Sequence, residues 1–306
     1  MKLHYAFLGA TLLLAACGGA SDTDIGGGGG GGGGTPENPI DVPDTEDLPI
    51  PGDTCDGAFV CGGDLDGVSF DGTTLTLTGL PFDDDPLGAI FTDSGDDTAN
   101  GFDIFINNDP GTFNQYLALV RESAGGEMTL GVVTIDGYQD FGYRGAWFEL
   151  NDLTTSIPGA ELVEYVGEYT GFMVFNGSGN QYVTTGDLTM EVDFTDSYLK
   201  GFIDNRTVET AAGTTVAVPN PDLTTLPSLV MNDTIINGGS FSGTVASYID
   251  AETYETGTYQ GWFGGDGAVV VGGFIEAQGE WDDGVTSLDT GVFTGACATG
   301  VPTCAP

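Results

Sequence analysis

Two triplets are the residues best suited to catalysis, Asp93-Ser94-Gly95 and Asp289-Thr290-Gly291. Each matches the short pattern that supplies one carboxylate of an aspartic protease, in which two acids share a proton. Asp93 falls within FTDSGDDTANG, however, where Asp and Gly are ordinary turn chemistry. The only histidine, His4, lies in a leading segment read below as removed, which excludes Ser-His-Asp and Cys-His catalysis and histidine metal sites from the rest of the chain. No catalytic residue is assigned, and no enzyme is expected. The acids Asp83, Asp84 and Asp85, or Asp93, Asp96 and Asp97, offer the hard oxygen ligands that calcium prefers. Neither set follows the EF-hand spacing or the Gly-rich nonapeptide repeat, so no cofactor is expected, with a structural calcium as the alternative.

Binding needs anchors, and Trp147, Trp262 and Trp281 are the candidates, because Trp is favoured at interface hot spots. Trp262 adjoins Phe263 in a strand-like run, where one of the two must face outward. It is the one ligand-binding candidate. Cys55, Cys61, Cys297 and Cys304 flank the folded region and are disulfide candidates in an exported chain, with three pairings open. Local pairs would each contribute about 2 kcal/mol by loop closure, and pairs joining the two ends about 5. The local pairs are preferred. The cysteine spacings match no zinc pattern.

These residues sit behind an unusual leader. Lys2, the largely apolar run from Ala6 to Ala16 and the small residues before Cys17 read as a processing signal, too short to span a bilayer. Leu14-Ala15-Ala16-Cys17 resembles the lipobox of bacterial lipoproteins, which implies cleavage after residue 16 and lipid on the Cys17 thiol. Gly18, in place of an Asp, implies the outer membrane as the address, and lipidation anchors a chain without spanning. Residues 17–54, with nine consecutive glycines at Gly26 to Gly34 and then a Pro- and acid-rich stretch, read as a disordered linker. Its 37 residues after Cys17 (18–54) would span about 35 Å on average. Fully stretched they reach about 120 Å.

Of five Lys and Arg residues, four remain after the leader: Arg121, Arg144, Lys200 and Arg206, against 46 acids. That balance repels nucleic acid and anionic lipid surfaces and keeps an exported protein soluble.

Nearly everything after Cys61 reads as strands. Thr73 to Leu80, Phe102 to Ile106, Tyr116 to Arg121, Met128 to Ile135 and Arg144 to Leu150 are short, β-branched and aromatic, and bounded by Gly, Asp and Asn turns. From residue 165 about eight further strands follow: Glu168 to Phe175, Gly186 to Phe194, Tyr198 to Asp204, Leu229 to Ile236, Ser240 to Ser247, Gly257 to Phe263, Ala268 to Ala277 and Ser287 to Thr294. Eight is the number that closes a small barrel filled by its own side chains. In MEVDF, Met190, Val192 and Phe194 point one way and Glu191 and Asp193 the other. A bulky residue, a spacer and a glycine recur at Tyr169/Gly171, Leu199/Gly201, Phe241/Gly243, Tyr259/Gly261 and Phe293/Gly295. Glycine inside a strand is costly unless the backbone bends or another group approaches closely.

The stretches MEVDFTDSYLKGFIDN (190–205), NGGSFSGTV (237–245), GTYQGWFGGDGAVVVGGFIE (257–276) and TGVFTGA (290–296) resemble the β-barrel domain of transferrin-binding protein B and related surface lipoproteins. The resemblance covers roughly residues 165–296. It implies an all-β fold, an eight-stranded antiparallel β-barrel preceded by a β-rich handle domain, hung from the outer membrane by a lipidated cysteine. The expected organisation is a signal peptide at 1–16, the lipidated linker at 17–54, a handle-like domain at 55–164, the barrel at 165–296 and a Cys-containing tail at 297–306. The namesake has two handle-plus-barrel lobes and this chain has room for one, so no binding residue carries over. The expected function is a non-catalytic surface lipoprotein that binds an extracellular protein or small solute. The alternative is a structural or adhesive acidic surface protein that binds calcium or carbohydrate.

Overall fold

The computed structural model describes residues 53–55, 59–80, 90–98, 100–107, 116–123, 125–135, 141–150, 162–176, 181–211, 214–216, 225–250, 252–280 and 284–298. Cys17, the glycine run, Asp83 to Asp85, Trp281 and Cys304 lie outside them. The described residues form two antiparallel sheets, as the alternation and the turn spacing require.

The first sheet uses β1 (Asp53–Thr54), β2 (Phe59–Gly63), β3 (Gly67–Phe70), β4 (Thr74–Thr78), β5 (Ile90–Asp97), β6 (Asp103–Asn107), β7 (Leu117–Glu122), β8 (Met128–Ile135) and β9 (Tyr143–Leu150). Its strand order is β1-β2-β9-β8-β7-β6-β5-β4-β3. Cys55 and Cys61 form a disulfide across the β1–β2 hairpin, one of the preferred local pairs. Cys297 is disulfide-bonded as well.

Alternation is clearest in β4, where Leu75 and Leu77 are fully buried between partly exposed threonines. In β7 it disappears, because Leu117 to Val120 are buried on both faces. Ala118 and Val120 join Leu75, Phe91, Phe105 and Trp147 in the sheet's own core. Leu117 and Leu119 turn the other way, with Leu130, Val132 and Phe148, against Phe172, Val183, Phe274 and Val292 of the second sheet. Four strands escape the sequence reading. β1 is formed by Asp53 and Thr54, the last two residues of the stretch read as a disordered linker, which pair with Cys61 and Val60 of β2. β2 and β3 are short and glycine-bearing, and β5 runs through the supposed loop at Asp93 with a register break between Asp93 and Asp97. Charged and small residues there conceal a strand whose pairing comes from β4 and β6.

The second sheet is a closed barrel of eight strands in sequence order. They are β10 (Val163–Phe175), β11 (Gln181–Asp193), β12 (Tyr198–Glu209), β13 (Leu229–Asn237), β14 (Ser240–Ile249), β15 (Glu252–Gly264), β16 (Val270–Glu280) and β17 (Thr286–Cys297). Each expected strand is present. Met190, Val192 and Phe194 point into the interior, which is filled by side chains including Tyr165, Tyr169, Phe241, Tyr259, Phe263 and Phe293.

The recurring glycines serve close approach. None of the five carries a positive φ. Phe241 pairs directly with Gly261, and Gly243 with Tyr259, so the two motif copies answer each other across β14 and β15. A Cβ on Gly261 would stand 2.4 Å from the Phe241 ring, and one on Gly243 2.7 Å from the Tyr259 hydroxyl. Each ring occupies the space the opposite glycine leaves.

Two ion pairs join the sheets, Arg121 of β7 with Glu168 of β10 and Arg144 of β9 with Glu276 of β16. Lys200 pairs with Glu191 on the barrel surface, and Arg206 takes two carboxylates inside it. All four cations that follow Lys2 are therefore committed to carboxylates.

Candidate functional site

Charged side chains meet in the barrel interior. In β15, Glu255 is in phase with the inward Tyr259 and Phe263, and in β17 Asp289 is in phase with the inward Phe293, so alternation aims both carboxylates inward. Arg206 is different. Leu199, Gly201 and Ile203 face inward in β12, so strict alternation would send Arg206 out. One extra residue intervenes, since Thr185 pairs with Thr207 but Asp187 with Asp204. Asn205 takes it up with φ 51° and stays exposed, a left-handed conformation that asparagine tolerates better than most residues. The bulge turns Arg206 into the barrel.

There the guanidinium is fully buried and clamps Glu255 with two bonds, Nη1 to Oε2 at 2.7 Å and Nη2 to Oε1 at 3.0 Å. Nη2 also donates to Asp289 Oδ2 at 2.7 Å, and Nη1 to the Pro227 carbonyl at 2.9 Å. Ser247 donates to Glu255 and Thr184 to Asp289, at 2.7 and 2.8 Å. Burial opposes the Arg206 charge, but the attraction of Glu255 and Asp289 outweighs it and raises the pKa. Burial raises the Asp289 pKa; Arg206 pulls it back and Glu255 adds to the rise. The Tyr169 phenol beside them is pushed well up, by burial first and then by the Asp289 charge.

The layer is sealed. Arg206, Glu255 and Asp289 have no exposed side-chain surface, and an apolar cluster of Met173, Val208 and Leu226 lies in the same part of the barrel. Asp93, by contrast, is exposed and caps its own turn through the Gly95 amide. The two triplets therefore do not form a proton-sharing pair: one carboxylate is in solvent and the other is bound to Arg206.

An open groove lies on the outer face of β13, β14 and β15. Ser240 pairs with Trp262 and Ser242 with Gln260, which places all four outward on adjacent strands. With Ile235, Asn237 and the flank of Phe241 they line a groove of about 320 Å³, within the range of small-ligand sites. Ile235 is 75 % exposed, the most of any large apolar residue described. Gln260 is only 4 % exposed, and its Oε1 is buried with no hydrogen-bond donor reaching it. Trp262 packs against Phe148 of β9, ring centroids 5.3 Å apart, which anchors it at the groove wall. Its neighbour Phe263 is buried in the barrel, so the outward member of the pair is Trp262.

In fold the chain is similar to transferrin-binding protein B. The vaccine antigen transferrin-binding protein B of Haemophilus parasuis Hp5, a double mutant, matches at 14% identity and TM-score 0.44, over 76% of this chain and 42% of that one. A single mutant of that antigen from Actinobacillus pleuropneumoniae H49 matches at 12% identity and TM-score 0.40, over 79% and 99%. A protein described as a surface lipoprotein matches at 13% identity and TM-score 0.38, over 79% and 99%. The chain thus spans less than half the length of the first of these. No family model and no curated protein matches the sequence.

Of the tryptophans, Trp147 belongs to the core of the first sheet, where its ring lies over Gly131. Among the described residues no group of three or more His, Cys, Asp and Glu side chains is placed to hold a metal ion. Sequence reasoning passed over Gln260 and Ile235. Gln260 carried a signal, a polar residue in the outward phase of a strand beside the chosen Trp262.

Proposed function

We propose that this chain is a lipid-anchored, surface-displayed lobe that binds an extracellular protein or small solute without catalysis, and that the groove at Ile235, Gln260 and Trp262 is its contact site. One observation carries the reading: a buried amide oxygen without a donor stands beside a highly exposed isoleucine and an anchored tryptophan. A buried acceptor left unpaired costs about 1–3 kcal/mol, which a ligand N–H or O–H would recover while covering Ile235. The sealed charge layer offers a ligand no surface.

The test is capture by the mature chain from the surrounding medium, compared across variants. Ile235→Asp and Gln260→Leu should each weaken binding of the captured molecule about tenfold or more, the scale of a hot-spot residue. Equal capture by both variants would remove the groove from the reading. The anchor is tested separately. Cys17→Ala should move the protein from the membrane fraction to the soluble fraction, and unchanged membrane retention would sink the lipoprotein assignment.

A further inference from the structure

The barrel face formed by β10 to β13 carries a second feature, independent of the groove. Val166 pairs with Thr189, Thr189 with Phe202 and Phe202 with Val230, so these four outward residues form one row across four strands. Val166, Phe202 and Val230 are 45, 38 and 37 % exposed. Other apolar residues on the barrel's outer surface, Phe172, Val183, Phe274 and Val292, are buried under the first sheet. This row has no such cover among the described residues.

Acids flank the row on both sides. Two positions along each strand in one direction, Glu168 pairs with Asp187 and Asp187 with Asp204. In the other direction Glu164 pairs with Glu191, which faces Lys200. Like charges directly opposite one another on paired strands are destabilising. Inside the chain they are only partly offset: Arg121 pairs with Glu168, Lys200 with Glu191, and Asp187 and Asp204 accept from the neutral groups of Asn205 and Ser228. Five carboxylates thus border the apolar row against two cations.

We infer that this face docks a basic amphipathic polypeptide, its apolar side chains on the row of Val166, Phe202 and Val230 and its Lys or Arg residues over the two acidic rows. The charge pattern selects that occupant. A second copy of this chain would bring another strongly acidic surface, and the acidic segment 35–52 would be repelled likewise.

The test uses the full mature chain and a synthetic Leu/Lys amphipathic helix, with a Leu/Glu twin as control. A chain this acidic attracts any cation, so the diagnostic is apolar. Phe202→Asp adds negative charge and would strengthen mere charge attraction, yet it should weaken Leu/Lys peptide binding about tenfold, and Val230→Ser should weaken it several-fold. Ile235→Asp, in the groove, should leave it unchanged, and Phe202→Asp should leave groove capture unchanged, so the two sites can fail separately. Peptide binding unaffected by Phe202→Asp and Val230→Ser would overturn the inference. So would equal binding of the Leu/Glu twin, or a homodimer in sedimentation that Phe202→Asp dissociates.

Discussion

Replacing Arg206 by Met is expected to cost the fold about 3–5 kcal/mol, the cost of stranding buried charge. Glu255 and Asp289 would lose their shared cation while remaining sealed from water. For a chain of this size each kcal/mol lowers the melting temperature by about 2–4 °C. The loss has a pH signature. Asp289 already has a pKa above its ordinary value, burial being the main cause, and Arg206 is the group that pulls it down. A carboxyl whose pKa is higher folded than unfolded contributes stability that is lost as pH rises through the folded value. Without Arg206 that window widens upward, so the deficit of Arg206→Met should be larger near about pH 8 than near about pH 5. Replacing all three residues, Arg206→Met with Glu255→Leu and Asp289→Leu, should recover most of the stability, because an apolar layer has no charge to desolvate. Thermal unfolding of the single and triple variants at both pH values checks this. A single variant as stable as the parent, or a triple variant no better than the single, would show that the layer is not held by this ion cluster.

The second large effect concerns Gly261. Gly261→Ala should destabilise by about 1–3 kcal/mol through overpacking, and Gly261→Val by more. The added Cβ would meet the Phe241 ring at 2.4 Å and the Gly272 carbonyl at 2.6 Å. Neither can move away easily. Phe241 is packed against Tyr259, Phe263 and Phe293, and the carbonyl belongs to the neighbouring strand. Because the ring and the glycine share one space, Phe241→Leu should soften the effect of Gly261→Ala. A double-mutant cycle should show a coupling of about 1 kcal/mol or more, within the range for residues in contact. Additive single effects would mean that the glycine answers to the backbone instead. Gly243, opposite Tyr259, should behave in the same way.

Much of the barrel was legible because its signals are local. Alternation places Met190, Val192 and Phe194 inside, and the same rule applied to Glu255 and Asp289 would have marked two carboxylates aimed into a core. The glycine motif could be read as a need for space, though not as the reciprocal fit of Phe241 with Gly261, which depends on strand register. Arg206 was illegible. Its direction follows from one extra residue at Asn205, and a bulge is a mismatch between two strands that neither shows alone. β5 was hidden for a related reason: its acids and glycine read as a turn, and only pairing with β4 and β6 makes them a strand.

The amino-acid order by itself determined the all-β class, the eight barrel strands and the acidic balance, since each rests on composition or on residues close in the chain. The tertiary structure alone decided which outward faces stay open. Phe172 and Val292 are covered while Val166, Phe202 and Ile235 are not, and that difference comes from where the first sheet packs on the barrel, not from the residues themselves. It also decided that Asp289 holds an arginine and that Trp262 walls a groove, because both outcomes join side chains from strands distant in sequence.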